Sequence, residues 1–66
     1  MDPLLSEKLK LAWKKYPDAV FSLFTLAGHV VSGRISRIDG TVTLEAGKET
    51  AEVPFDRIEA ISWRLL

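Results

Sequence analysis

Residues 26–44 read Leu26-Ala27-Gly28-His29-Val30-Val31-Ser32-Gly33-Arg34-Ile35-Ser36-Arg37-Ile38-Asp39-Gly40-Thr41-Val42-Thr43-Leu44. Two turn signals, Ala27-Gly28 and Asp39-Gly40, frame a stretch rich in β-branched residues. Such residues fit a pleated, half-buried surface, so the spacing predicts a long strand over residues 30–38. Gly33 lies inside that strand, where a glycine marks a bulge or a sharp bend. Small barrels need such bends in order to close. Asp39-Gly40 predicts a two-residue hairpin, because both central residues of a type I′ turn need positive φ. The partner strand is predicted over residues 41–45, with Val42 and Leu44 on one face.

The same texture extends to both sides. Residues 20–26 form the strand before the first turn. Ala46-Gly47-Lys48 turns the chain again, and strands follow over residues 51–55 and 58–65. In the last of these Ile61, Trp63 and Leu65 alternate inward. Pro54 cannot donate to a ladder, which makes the fourth strand an edge or a bulged strand. Ahead of the strands the period changes. Leu5, Leu9, Ala12 and Tyr16 recur at helical spacing with Trp13 beside them. Asp2 suits an N-cap and Pro3 a first helical position. Tyr16 precedes Pro17, which disfavours helix there, so the helix is predicted over residues 3–15. The expected fold is mostly β with one N-terminal α-helix, a five-stranded antiparallel barrel forming a single domain over residues 1–66.

With 66 residues, one core supplies roughly 3–5 kcal/mol of net stability, and natural chains of this size add disulfides, a metal or partner subunits. The chain has no cysteine and one histidine, His29, so disulfides, thiolate zinc and histidine-rich metal sites are excluded. Oligomerisation is the remaining support, and a hydrophobic fraction of 47% suits it. Edge strands invite pairing, and a fourth-strand edge meeting a fifth-strand edge on the next copy gives a head-to-tail contact, which makes a ring if the rotation closes. Nine basic and nine acidic residues give a formal charge of +0, so any basic footprint must come from distribution. No apolar stretch is long enough to span a bilayer. The acidic opening Met1-Asp2-Pro3 is unlike a signal peptide, and a cytoplasmic protein without a membrane partner is expected.

The segment 26–35, followed by Ile38-Asp39-Gly40-Thr41-Val42-Thr43-Leu44, resembles the first motif of the Sm-like family, with its turn glycine, its bending glycine and its aspartate at Asp39. Val53-Pro54-Phe55-Asp56-Arg57-Ile58 occupies the place of the second motif, and the short connection before it is similar to the bacterial Hfq branch. The resemblance covers nearly the whole chain and implies an SH3-like barrel in a homo-oligomeric ring of six or seven subunits. It implies binding of single-stranded RNA rich in U or A, in the manner of a riboregulator, by stacking and basic grooves. The positions it implies are Phe24, His29, Ser32, Asp39, Gly40, Thr41 and Arg57 for RNA. Where the Hfq branch carries a glutamine and an aromatic after the aspartate, this chain has Gly40 and Thr41. Where that branch carries a lysine–histidine pair, it has Phe55 and Asp56, and an acid there repels phosphate. On the opposite face Phe24 matches a purine-stacking aromatic, Ser32 stands for a glutamine and Val30 for a lysine.

Each position has a plainer reading. Phe24 serves either base stacking or packing at a core or interface. His29 is a polar turn residue or an RNA contact. Lys8, Lys10, Lys14 and Lys15 make a solvated helix face, with cations favoured near its C-terminus, or a cationic face multiplied by ring symmetry. Arg34 and Arg37 meet phosphate or pair with Glu45 or Asp39 across strands. Asp56 and Arg57 suit a turn ion pair, and Asp39 suits an architectural acceptor better than a catalytic acid. Val53, Phe55, Ile61 and Trp63 are candidates for the subunit interface, and Trp13 and Trp63 for packing between helix and barrel. No nucleophile–histidine pair, phosphate loop or metal-ligand spacing is present, so no enzyme and no cofactor are expected. Three readings stay open: an RNA-binding ring, a ring that docks another protein with RNA binding weakened or lost, and a small adaptor barrel that is only superficially Sm-like.

Overall fold

The computed structural model describes residues 3–65. A helix, α1 (Pro3–Lys15), precedes five strands: β1 (Val20–Thr25), β2 (Val30–Ile38), β3 (Thr41–Ala46), β4 (Glu49–Pro54) and β5 (Ile58–Arg64). A 3-10 turn over Phe55–Arg57 joins the last two. The chain is mostly β, with one N-terminal helix and one five-stranded antiparallel sheet. The capping role expected of Asp2 falls outside the described residues.

The helix stops at Lys15, just before the residue that Pro17 constrains. Its apolar stripe meets the sheet: Leu9 and Ala12 are buried, while Leu5, Trp13 and Tyr16 are packed in part. Leu4 and Leu11 face away, at 72% and 67% exposure. Ala19 just before β1, with Phe21, Leu23, Ile35, Val42, Leu44, Val53 and Ile58 on the sheet, completes the core, and Trp63 lies against Phe21 with ring centroids 5.9 Å apart. Each fully buried large side chain stabilises the fold by about 1.5–3 kcal/mol. Among the described residues no polar side chain is buried.

The strand order is β4-β3-β2-β1-β5, so β4 and β5 are the two edges. Pro54 therefore sits on an edge, as a missing N–H requires. Among the described residues β4 and β5 form no ladder with each other. The central strand β2 changes partner part-way. Val30–Gly33 pairs with β1, and Arg34–Ile38 pairs with β3. The irregularity falls between Ile35 and Arg37 rather than at Gly33. Gly33 serves close approach instead: a Cβ there would stand 2.7 Å from the Glu45 carbonyl oxygen.

Several boundaries differ from the sequence reading, three of them for a hydrogen-bonding reason. The strand expected to reach residue 26 stops at Thr25, because the Leu26 N–H donates to the Arg57 carbonyl at 2.9 Å. The turn after Ile38 is not type I′. Gly40 has φ 101° but Asp39 is not in the left-handed region, Ile38 pairs with Val42, and the Asp39 N–H reaches the Thr41 carbonyl at 3.2 Å. β3 runs to Ala46 and β4 starts at Glu49, which tightens the hairpin around Gly47. β4 ends at Pro54 because the Phe55 N–H turns to the Gly40 carbonyl at 3.2 Å. β5 ends at Arg64, and Leu65 is 61% exposed rather than inward.

Candidate nucleic-acid interface

The side of the β1–β2–β5 ladder away from the core carries an ordered arrangement. Strand alternation sends Phe21 and Leu23 into the core, and Val20, Ser22 and Phe24 to the outside. Register then aligns three strands. Phe24 pairs with Val30 on β2 and with Ala60 on β5. Ser22 pairs with Ser32 and with Ser62. Val20 pairs with Arg64. Arg34 lies one residue past the β1-paired part of β2 and shares a hollow with Val20 and Ser32.

The face is therefore graded along the strand direction: an apolar row, a hydroxyl row and a basic end, each about 6.6 Å from the next. At the apolar end Phe24 is 37% and Val30 56% exposed. In the middle the Ser22 and Ser32 hydroxyls share a hydrogen bond of 2.9 Å. A shallow hollow of about 280 Å³ runs over Ser22, Ser32 and Ser62 to Arg64. Neither arginine makes an ion pair with another described residue. Glu45 is the cross-strand neighbour of Arg34, and Asp18 lines the next hollow along with it. These acids weaken the local field at Arg34, whereas no acid among the described residues pairs with Arg64.

The other candidates fall into separate groups. His29 and Arg57 line one groove of about 450 Å³ with Leu26, Val31, Val53 and Pro54. The His29 N–H donates to the Thr25 hydroxyl at 3.1 Å. Asp39, Gly40 and Thr41 form the β2–β3 turn, tied to the start of the 3-10 turn through Gly40 and Phe55. The Asp39 carboxylate accepts Arg37 at 2.7 Å, so Asp39 is an acceptor within its own turn. Asp56 and Arg57 form no ion pair with each other. Lys8, Lys10, Lys14 and Lys15 are all exposed on α1; Lys10 stands over the Phe55 ring and Lys15 over the Tyr16 ring. Of the interface candidates, Val53 is buried in the chain's own core, and Phe55, Ile61 and Trp63 are half-buried.

Of the residues singled out in the sequence, Phe24, Ser32 and Arg34 thus share one face. Ser22, Ser62 and Arg64 belong with them and were missed. Alternation along β1 and β5 is visible in the sequence, but the register that aligns the strands is not. Among the described residues no group of three or more His, Asp or Glu side chains is placed to hold a metal ion, and no helix is long and apolar enough to cross a membrane.

No family model matches the chain, and no curated protein matches it in sequence. Function must therefore be read from the geometry of the outer face.

Proposed function

We propose that this chain binds single-stranded RNA on the outer face of β1, β2 and β5, as a subunit of an Sm-like homo-oligomeric ring of the Hfq type. The observation that carries the reading is the graded face. An exposed aromatic offers a base a stacking surface, hydroxyls follow where a sugar would lie, and two arginines that make no ion pair among the described residues lie where phosphate would lie. Single-strand binding uses this combination of stacking platform and cationic groove. The curling of the sheet into a barrel with open edges and the ring belong to the same proposal. Two unpaired edges, β4 and β5, support a head-to-tail contact, and the close approach at Gly33 supports a sharply curved sheet. Ring symmetry would repeat the face in every subunit and sum contacts that are individually weak. On this reading the protein is cytoplasmic, with neither cofactor nor catalytic step.

A second reading, a ring that docks another protein, is favoured by the apolar groove along Leu26, Val31 and Val53. The zero net charge and the exposed acid Asp56 in the 3-10 turn also favour it.

The test is native mass spectrometry of the protein alone and with short A-rich and U-rich oligonucleotides. A hexamer or heptamer that retains one oligonucleotide over the other is expected. Phe24→Ala should leave the ring intact and weaken the preferred RNA by about 1–3 kcal/mol per stacked base. Unchanged affinity in that variant would remove the outer face from the reading. A ring indifferent to both oligonucleotides would leave the protein-docking role.

A further inference from the structure

The middle row of the outer face is built from a single residue type. Ser22 on β1 pairs with Ser32 on β2 and with Ser62 on β5, so no charged residue stands in the row. All three serines line the hollow that leads to Arg64. Neighbouring strands lie about 4.8 Å apart, which makes the row roughly 10 Å wide. The backbone of β1 is bonded to β2 on one side and to β5 on the other, so β1 has no main-chain group left to meet a ligand here. The hydroxyls are the polar groups that the row presents outward. Those of Ser22 and Ser32 share a hydrogen bond of 2.9 Å, which leaves the pair one hydroxyl hydrogen to donate. Ser62 is exposed and makes no side-chain hydrogen bond among the described residues.

We infer that this serine row reads the 2′-hydroxyl of the bound strand, with Ser62 as the residue that distinguishes ribose from deoxyribose. The inference rests on the RNA reading of the outer face and assigns the choice between RNA and DNA to named side chains. The row lies between Phe24, which takes a base, and Arg34 and Arg64, which take phosphate. The part of a nucleotide between base and phosphate is the sugar, and its 2′-hydroxyl both donates and accepts. A serine hydroxyl does the same, so the two match in either direction. An arginine in the row would prefer phosphate, and an alanine or valine would not register the difference. Stacking on Phe24 is the same for either sugar, and the arginines meet phosphates that RNA and DNA share. Of the three rows, the serines alone tell one strand from the other. A site that hydrogen-bonds a hydroxyl rejects the analogue lacking it, because its own polar groups are left unpaired. The row is open to water, which limits the gain, and one neutral hydrogen bond is worth about three- to tenfold in affinity.

The experiment is fluorescence anisotropy with short labelled oligoadenylate and oligouridylate, each as ribo, deoxy and 2′-O-methyl strands, at one fixed salt concentration. Wild-type protein should bind the better ribo strand at least about threefold more tightly than its deoxy counterpart. The 2′-O-methyl strand, whose oxygen no longer donates, should fall below the ribo strand as well. Ser62→Ala should lower ribo affinity, leave deoxy affinity where it was and bring the ratio of the two close to unity. Ser62→Thr keeps a hydroxyl on a residue that suits a strand and should keep the preference. Phe24→Ala should weaken ribo and deoxy strands alike. Ser62 is exposed, so neither substitution there touches the core, and native mass spectrometry checks that each variant keeps the wild-type assembly state. Equal ribo and deoxy affinities in the wild type, or a preference that survives Ser62→Ala, overturns the inference and leaves the nucleic-acid face standing. A preference lost in Phe24→Ala overturns the division of the face into a base row and a sugar row. A wild-type protein that binds none of the strands overturns the RNA reading itself.

Discussion

Gly33→Ala tests how the fold holds the candidate face. The new Cβ would lie 2.7 Å from the Glu45 carbonyl oxygen, closer than a Cβ approaches backbone, and 3.0 Å from its carbon, which is tighter than most such contacts. Both contacts are backbone, so no side chain can swing aside. β3 would have to move, and β3 is held on both flanks by ladders with β2 and β4. Overpacking of this kind costs about 1–3 kcal/mol. Alanine in a strand otherwise gains about 0.5–1 kcal/mol over glycine, which offsets part of it. The expected net loss is about 1–2 kcal/mol. For a domain of this size each kcal/mol lowers Tm by about 4–8 °C, so a drop of about 5–15 °C should be seen. The assay is thermal unfolding by circular dichroism at one fixed protein concentration, because assembly makes Tm concentration-dependent. The neighbours Ser32 and Arg34 bear on the outer face, so RNA affinity should fall with stability. A variant that melts at or above the wild-type temperature would refute the close approach of β3 and the curvature argued from it.

Two more outcomes follow from the same structure. Leu9→Ala removes a fully buried side chain at the helix–sheet contact, at a cost of about 2–5 kcal/mol. That approaches the whole stability of so small a core. The variant should be unfolded at low micromolar concentration by circular dichroism, and native-like melting there would show that the helix contributes little. Replacing Arg34 and Arg64 together with alanine should flatten the slope of log affinity against log salt for single-stranded RNA, by about 0.7 for each phosphate that a subunit no longer neutralises. An unchanged slope would place the phosphate-binding cations elsewhere, with the helix lysines as the next candidates.

Local chemistry made much of this chain legible in advance. The helix is marked by the period of Leu5, Leu9, Ala12 and Tyr16 and by the stop at Pro17. The succession of five strands, the edge position of Pro54 and the turns at Gly28, Gly40 and Gly47 follow from side-chain alternation, from the missing proline N–H and from where positive φ is tolerated. These are properties of neighbours in sequence, so a sequence determines them. The positions of Phe24, Ser32 and Arg34 as candidates were legible in the same way. Their grouping with Ser22, Ser62 and Arg64 was not. It depends on how β1 registers against β2 and β5, and residues 22 and 62 are brought side by side only by that pairing. The role of Gly33 was also hidden, since the group that excludes a side chain there is a carbonyl on another strand. So was the exposure of Leu65, whose spacing continues the inward alternation of Ile61 and Trp63 while the ladder with β1 ends at Arg64. Periodicity assigns faces and turns, because it needs only bonded geometry. Register, close approach and strand ends depend on contacts between distant segments, and only the tertiary structure decides those.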